Sequence, residues 1–227
     1  MSLSITWHGH ATFSIDVNGT KLVIDPFFDN NPVAKTKAAD VAADYILVTH
    51  GHSDHILDAL PIAQRTGAQI ITNADIAGWY GRQGFNNVHP QHLGGGFRHP
   101  FGHVKFTVAL HGSGLPDGSY GGMPAGFLLT LDGKKIYIAG DTAVYSDMSL
   151  IGRVGLDLAV LPIGDNFTMG PDDAMLALEF LKPKAVIPCH FNTWPYIEVD
   201  VDAWIKRVET ETDVKPIKLE VDGSYTL

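Results

Sequence analysis

The sequence has little of what would assign it to several common classes of protein. Cys189 is the only cysteine among 227 residues, so no disulfide can form within the chain. No basic run occurs, and the formal net charge of -9 argues against a nucleic-acid-binding surface. No apolar run is long enough to span a membrane, and the first residues lack the charged and apolar regions of a secretory signal. We therefore expect a cytoplasmic protein whose partners are neither nucleic acids nor membranes.

The residues that are present predict one globular domain over 1–227. Hydrophobic residues make up 45% of the chain and charged residues 18%, which is ordinary for a globular protein, and no linker interrupts the sequence. Short apolar runs predict strands at 3–7, 12–17, 21–24, 45–48, 69–72, 105–110, 126–131, 135–139, 156–163 and 185–188. Helices are predicted at 56–65, 74–83, 171–182 and 201–209, with a short helix within 29–44.

Turn residues add hairpins at Asn18-Gly19, at Asp132-Gly133 and at the closing Asp222-Gly223. Residues 89–102 are rich in Gly, Pro and His and are predicted as turns. Each half of the chain is a run of strands followed by connections that carry helices. That arrangement predicts two packed sheets with helices outside.

A cluster of potential metal ligands directly follows the strand at 45–48. His50 and His52 are two residues apart and would project on the same side of an extended backbone. Asp54 and His55 are adjacent and would diverge unless a turn or a helix start redirects them. The cluster therefore favours two ions, the first bound by the histidine pair and the second by Asp54 and His55. Imidazole and carboxylate suit zinc, iron, manganese or nickel, whereas the alternative is a polar loop that happens to contain histidines.

Three further residues share the placement of this cluster. His111, Asp141 and His190 each come directly after an apolar strand. A single histidine at a strand end is more often structural, but three such residues together with the cluster indicate strand ends that converge on one edge.

Other polar residues leave two interpretations open. Asp25 could hold the far ring nitrogen of a ligand histidine, or it could serve the Asp25-Pro26 turn. His10 is either a pocket wall or hydrogen-bond donor behind the ligands, or a turn histidine. The remaining histidines of the central region are interpreted as surface or pocket-edge residues: His89, His92, His99 and His103.

These motifs resemble the metallo-β-lactamase-fold superfamily of metal-dependent hydrolases. The residues that carry the resemblance are His50-Gly51-His52-Ser53-Asp54-His55, His111, Gly140-Asp141-Thr142 and His190. Within it, the sequence is most similar to the UPF0173 group through Trp7-His8-Gly9-His10-Ala11, Asp25-Pro26, Ile163-Gly164-Asp165-Asn166, Met169-Gly170-Pro171 and Pro188-Cys189-His190-Phe191-Asn192-Thr193.

The resemblance implies an α+β fold, a four-layer αββα sandwich with a binuclear metal centre. One ion would be held by His50, His52 and His111. The second would be held by Asp54, His55 and His190, with Asp141 bridging both. Zinc is expected, with manganese, iron or nickel as alternatives.

The implied activity is attack of metal-activated hydroxide on an ester, lactone, amide or phosphodiester bond of a small molecule. Asp54 would orient the hydroxide and pass a proton to the leaving group, and His10, Asn166 and Asn192 would contact substrate oxygen. The alternatives are a di-iron oxidoreductase, which in this superfamily carries a flavin domain, and a metal-binding protein without turnover. A homo-oligomer is compatible with either.

Overall fold

The computed structural model describes residues 3–227 and consists of two sheets with helices on their outer faces. In chain order the strands are β1 (Leu3–Trp7), β2 (Phe13–Val17), β3 (Thr20–Ile24), β4 (Tyr45–Leu47), β5 (Gln69–Asn73), β6 (Val88–Gln91), β7 (Gly96–His99), β8 (Gly102–Val108), β9 (Ala125–Leu131), β10 (Lys134–Ile138), β11 (Leu158–Pro162), β12 (Ala185–Cys189), β13 (Lys215–Pro216) and β14 (Ser224–Thr226). The helices are α1 (Ser53–Ile56), α2 (Ala59–Thr66), α3 (Ala74–Arg82), α4 (Met148–Gly152), α5 (Pro171–Leu181) and α6 (Val201–Glu211), with short 3-10 helices at Ala38–Asp40 and Pro195–Ile197.

Each sheet has seven strands, and the halves of the chain build one sheet each, apart from the last strand. The order is β14-β1-β2-β3-β4-β5-β6 in the first sheet and β13-β12-β11-β10-β9-β8-β7 in the second. The α+β, four-layer αββα sandwich expected from the sequence is therefore confirmed.

The central core lies between the two sheets. In β1 and β2 every second residue is buried, as expected for strands that face a core on one side. Ile5 and Ile15 of the first sheet belong to the same cluster as Phe106 and Phe127 of the second. The rings of Phe106 and Phe127 are 5.0 Å apart.

Two smaller cores lie between the sheets and the outer helices. Ile62 of α2 and Tyr80 of α3 pack on the first sheet, and Leu178 of α5 and Trp204 of α6 pack on the second. The predicted helix start at Pro171 is confirmed: proline occupies the first turn, where it needs no backbone partner, and two acids follow it.

Strand direction determines which chain segments meet. In the first sheet β3 is parallel to β4, and β1 runs the same way because β1 and β3 are each antiparallel to β2. In the second sheet β10, β11 and β12 are parallel, and β8 shares their direction because β8 and β10 are each antiparallel to β9. The carboxyl ends of these strands therefore lie together at one edge of each sheet.

Three local predictions are wrong. Residues 89–102 contain strands β6 and β7 rather than turns alone. The closing hairpin does not form, because β13 pairs with β12 while β14 pairs with β1 in the other sheet. The helix predicted at 56–65 is replaced by α1 and α2, and Asp58 between them accepts a hydrogen bond from the Phe28 amide at 2.6 Å.

Among residues 3–227, no helix has both the length and the apolar character that crossing a bilayer requires.

Candidate metal centre

The structure brings the seven predicted ligands together at the carboxyl ends of the strands. His50 and His52 follow β4, and α1 begins at Ser53, so Asp54 and His55 lie in a first helical turn that redirects their side chains. The other three follow strands of the second sheet: His111 after β8, Asp141 after β10 and His190 after β12. Each half of the chain therefore contributes part of one cluster.

Three histidines form the first group. His52 Nδ1 lies 3.0 Å from His50 Nε2 and 3.2 Å from His111 Nε2, and the three nitrogens all lie within 4.8 Å of one another. A zinc ion bound by nitrogens at about 2.05 Å in tetrahedral geometry separates its ligands by about 3.3 Å. The trio thus has the spacing of a ligand set around one ion.

The second group surrounds the carboxylate of Asp54. Its Oδ2 lies 3.7 Å from His55 Nε2, 4.0 Å from His190 Nε2 and 3.1 Å from His10 Nε2. Asp54 Oδ2 and these three nitrogens also all lie within 4.8 Å of one another.

One oxygen of Asp141 lies between the two groups. Asp141 Oδ2 is 3.1 Å from His190 Nε2 and 3.3 Å from His55 Nε2 in the second group. The same atom is 3.5 Å from His111 Nε2 and 4.0 Å from His50 Nε2 in the first.

Asp25 and Thr49 fix the orientation of two of these imidazoles. The Thr49 amide donates to Asp25 Oδ1 at 2.7 Å and its hydroxyl to Asp25 Oδ2 at 2.6 Å. Because that hydroxyl proton is used, His50 donates from Nδ1 to Thr49 Oγ1 at 2.9 Å, and its Nε2 keeps a lone pair towards the centre. His55 likewise turns Nδ1 to Asp25 Oδ2 at 2.8 Å. The structure thus places Asp25 behind the ligands, at the far ring nitrogen of a histidine.

His10 is buried and lies against Asp54 rather than in a free turn. Its Nε2 is 3.1 Å from Asp54 Oδ2, and its Nδ1 is 2.8 Å from Thr193 Oγ1. A carboxylate needs a donor, so the proton is on Nε2 and the Thr193 hydroxyl donates to Nδ1. Its neighbour His8 bonds instead to Asp222 and Ser14.

The charges of the cluster shift the pKa values of its members in opposite directions. Burial lowers the pKa of His50 well below its ordinary value and, with the nearby His190, lowers the pKa of His10 to about 4. Burial opposes a charge on His55 as well, but Asp141, Asp54 and Asp25 outweigh it and raise its pKa well above 6.5. In Asp141 the adjacent histidines outweigh burial and lower the pKa of the carboxyl well below its usual range. Three carboxylates therefore stabilise a positive charge on His55, whereas burial lowers the pKa of His10 and His50 and disfavours a charge there.

The unpaired polar atoms of the cluster fit a metal. His55 Nε2 and Asp141 Oδ1 are buried and have no hydrogen-bond partner. Leaving such atoms unpaired costs free energy in a folded protein, and a cation removes that cost. All the donors are imidazole nitrogens or carboxylate oxygens, which suits zinc, manganese, iron or nickel.

Backbone contacts hold the ligands of the second sheet in place. The Leu110 amide donates to Thr142 Oγ1 at 2.9 Å and the Ala143 amide to the Leu110 carbonyl at 3.2 Å, so the segments carrying His111 and Asp141 are joined. His190 has a φ of 54° and donates its amide to the His10 carbonyl at 2.9 Å, which joins the two sheets beside the centre.

A cavity of about 520 Å³ opens above the centre. Besides Ser53 and five of the ligands, its walls are formed by Phe27, Asn30, Leu57, Phe167 and Trp194. Sequence patterns did not identify these five residues, since they lie in irregular segments or, as with Leu57, beside a short helix. Of the five, only Trp194 could have been suspected from the sequence, because it directly follows the motif that contains His190.

The structure does not bring Asn166 or Asn192 to this cavity. The Asn192 side chain donates to the Val199 carbonyl at 3.2 Å and accepts from the Val199 amide at 2.8 Å, so it closes its own loop. Asn166 is exposed and its amide donates to Asp165 Oδ1. That these side chains contact substrate therefore stays a prediction.

The other histidines lie elsewhere. His99 is buried at the end of β7 and stacks on Phe101 with ring centroids 5.2 Å apart, so its assignment to the surface or a pocket edge is corrected. The ring of His89 is 4.8 Å from that of His99, and His103 is half-buried. His92 is exposed.

Comparisons with known proteins agree with this geometry. A family model described as a beta-lactamase superfamily domain matches residues 20–191. A UPF0173 metal-dependent hydrolase of Heliobacterium modesticaldum is 50% identical over 219 residues, covering 92% of this chain and 90% of the relative. A UPF0173 metal-dependent hydrolase of Bacillus cytotoxicus is 47% identical over 231 residues, covering 99% of this chain and 100% of the relative. Igni18, described as a metallo hydrolase from Ignicoccus hospitalis, is 33% identical with a TM-score of 0.91, covering 100% of this chain and 99% of Igni18.

Proposed function

The chain belongs to the β-lactamase superfamily and, within it, to the UPF0173 group of metal-dependent hydrolases, and from this premise we propose that it hydrolyses a small molecule at a binuclear metal centre. The bond cleaved is an ester, lactone, amide or phosphodiester, and the nucleophile is hydroxide. His50, His52 and His111 would hold one ion, Asp54, His55 and His190 would hold the second, and Asp141 would be a ligand of both. Zinc is the expected metal.

The position of Asp141 Oδ2 carries this proposal. The atom lies 3.5 Å or less from nitrogens of His111, His55 and His190, which belong to both ligand groups. A carboxylate oxygen that serves two ions has to occupy such a position, whereas a carboxylate that serves one ion would lie within a single group.

The chemistry divides between the metal and the side chains. Two divalent ions held there would lower the pKa of water towards neutrality and so supply hydroxide at working pH, and they would polarise the oxygen of the scissile group. Asp54 lines the cavity, so its carboxylate can orient the nucleophile, accept a proton and deliver it to the leaving group. The hydrogen bond from His10 Nε2 holds Asp54 Oδ2 in place for these steps.

No side chain needs to act as the nucleophile. Ser113 Oγ accepts from the Gly51 amide at 3.0 Å and donates to the Gly121 carbonyl at 2.9 Å, so its hydroxyl is already used. Cys189 is buried, and burial raises the pKa of its thiol well above the ordinary value. A buried, protonated thiol is a poor nucleophile.

The proposal is tested by metal analysis combined with a substrate panel. Purified protein is expected to hold close to two ions per chain and to cleave at least one member of a panel of p-nitrophenyl esters, lactones and bis(p-nitrophenyl) phosphate. Chelator should abolish turnover, and added zinc should restore it. Asp54→Ala and His190→Ala should each lower kcat by about 10³-fold.

Matched substitutions on the surface provide the controls. Asp172→Ala and His92→Ala remove the same side chains at exposed positions and should leave metal content and kcat unchanged. Uptake of dioxygen with an added electron donor, without hydrolysis of any panel member, would overturn the assignment. So would full activity of His190→Ala.

A further inference from the structure

The walls of the cavity define the chemical class of the substrate. We infer that the site takes an uncharged molecule, with an apolar alkyl or aryl group beside the scissile bond and no ionised group away from it. This inference rests on the proposed hydrolysis and narrows it, because the metal centre alone would accept charged and uncharged substrates.

Apolar side chains make up the cavity wall away from the ligands. Phe27 is buried, and its ring centroid lies 6.4 Å from that of the half-buried Trp194 in a T-shaped arrangement. Leu57 and Phe167 complete the wall with 38% and 49% of their surface exposed. Large apolar side chains that are left exposed around a polar centre indicate a surface that an apolar ligand covers.

The wall offers no partner for a remote anion. Among the described residues that line the cavity none is Lys or Arg, and outside the ligands the polar side chains are Asn30 and Ser53. The charge of the scissile group can be met at the metal centre. A carboxylate or phosphate elsewhere on the substrate would lose water against Phe27, Leu57 and Phe167 without gaining a cation, which is unfavourable.

A remote cation is not favoured either. Aromatic faces can bind quaternary ammonium groups, but the Trp194 ring packs against the His10 ring, with centroids 4.8 Å apart, and also lies beside the Phe27 ring. The rings of Trp194 and Phe27 therefore cover part of each other's surface, which leaves less of it for a cation. The volume of about 520 Å³ lies within the range of roughly 300–1,000 Å³ that small-molecule pockets occupy.

Three esters of p-nitrophenol test the inference on the metal-loaded protein. They share a six-carbon acyl chain that ends in a methyl group, a sulfonate or a trimethylammonium group. Sulfonate coordinates metals weakly, so it reports on the wall rather than on the ions. The neutral ester should have a kcat/KM about 30-fold above that of the sulfonate ester, because the wall cannot pair a remote charge. Equal values for these two esters, or a preference for the ammonium ester, would overturn the inference.

Phe167→Lys places a cation at the rim. It should raise kcat/KM for the sulfonate ester relative to the neutral ester by about 10-fold through pairing of opposite charges. Phe167→Gln removes the ring without adding charge and should not shift that ratio towards the sulfonate ester. Leu150→Lys adds the same charge beside a different cavity and should leave the ratio unchanged. A ratio that moves equally in Phe167→Lys and Leu150→Lys would contradict the assignment of the wall.

A binding measurement separates failure of this inference from failure of the proposed function. Nitrophenyl hexyl ether and its chain-end sulfonate cannot be hydrolysed, and the nitro group quenches tryptophan fluorescence. The neutral ether should quench the protein at about 30-fold lower concentration than the sulfonate, and Trp194→Phe should remove most of the quenching. Selective binding of the neutral ether without turnover of any ester would contradict only the proposed hydrolase function. Turnover with equal binding of both ethers would sink only the inference about substrate charge.

Discussion

Histidines cluster at two opposite edges of the same sheets, and only one of these clusters forms a candidate metal centre among the described residues. At the carboxyl edge, imidazoles alternate with Asp25, Asp54 and Asp141 and direct nitrogens to common points. At the amino edge a second set, which we call the aromatic cluster, consists of Tyr45, His89, Phe97, His99 and Phe101. It contains rings and no carboxylate.

The difference between His55 and His99 shows that the neighbouring side chains determine whether a buried histidine can carry a positive charge. Three carboxylates raise the pKa of His55, whereas in the aromatic cluster burial and the nearby His89 and His103 lower the pKa of His99 to about 4. His99 Nε2 is buried and unpaired, yet no carboxylate or cysteine completes a ligand set around it among the described residues. Carboxylates therefore stabilise a positive charge on His55, whereas no carboxylate in the aromatic cluster offsets the cost of burying a charge on His99.

The largest effect on the difference between the two edges is expected from removal of the Asp141 carboxylate. Asp141→Ala should lower kcat by about 10³-fold or more and reduce the ions per chain, because both groups lose a ligand. Metal analysis and steady-state kinetics measure both effects. Asp141→Asn keeps the shape and should be impaired nearly as much. If Asp141→Ala retains two ions per chain, the bridging role is wrong.

A smaller effect is expected from substitution of Asp25, which contacts a proposed ligand histidine rather than the metal. Asp25→Asn should weaken metal affinity by about 10- to 100-fold, because the carboxylate no longer holds His55 Nδ1. Competition with a chromophoric chelator measures the affinity, and circular dichroism checks the fold. His99→Phe, in the aromatic cluster, serves as the control and should leave metal affinity unchanged. Equal losses in both variants would indicate a general effect on stability instead.

Removing the ions should affect the two edges unequally. Chelator should increase hydrogen exchange in the segments around 49–55, 140–142 and 190, because bound ligands stabilise the regions that they join. Exchange in β6 and β7 should stay the same. Mass spectrometry of exchanged peptides reads out both regions at once, and a uniform increase over the whole chain would contradict local coupling.

The smallest effect concerns pH and the aromatic cluster. The pKa of His99 is about 4 in the folded protein, below the ordinary 6.5. The unfolded chain then binds more protons, so the free energy of unfolding should fall as the pH decreases from about 6.5 towards 4. His99→Phe keeps the stack on Phe101 and should remove that part of the pH dependence. Urea unfolding of chelator-treated protein at pH 7 and pH 5 tests this, and parallel losses in both proteins would refute it.

The sequence predicted most residues of the candidate centre because the ends of buried strands can be recognised from apolar runs. His50, His111, Asp141 and His190 each follow an apolar run, and parallel strands bring such positions to one edge. The aromatic cluster was missed for the opposite reason. β6 and β7 are short edge strands in a stretch rich in Gly, Pro and His, so composition indicated turns.

Other features depend on tertiary contacts that no local pattern records. β13 and β14 flank a turn that resembles a hairpin, but the turn at Gly223 pairs with Trp7, so the last strands join different sheets. Asn192 lies two residues after His190, yet its side-chain amide forms hydrogen bonds with Val199 in its own loop. The walls of the cavity come from four segments distant in sequence, and only folding brings Phe27 to Trp194.

The hydrogen bond between the His190 amide and the His10 carbonyl crosses the seam between the halves of the molecule. On one side of that seam the chain supplies His50, His52, Asp54 and His55, and on the other His111, Asp141 and His190. Neither half alone supplies all the proposed ligands of either ion. Mechanical separation of the two halves would therefore also release any ion bound between them, so ion release would report that separation.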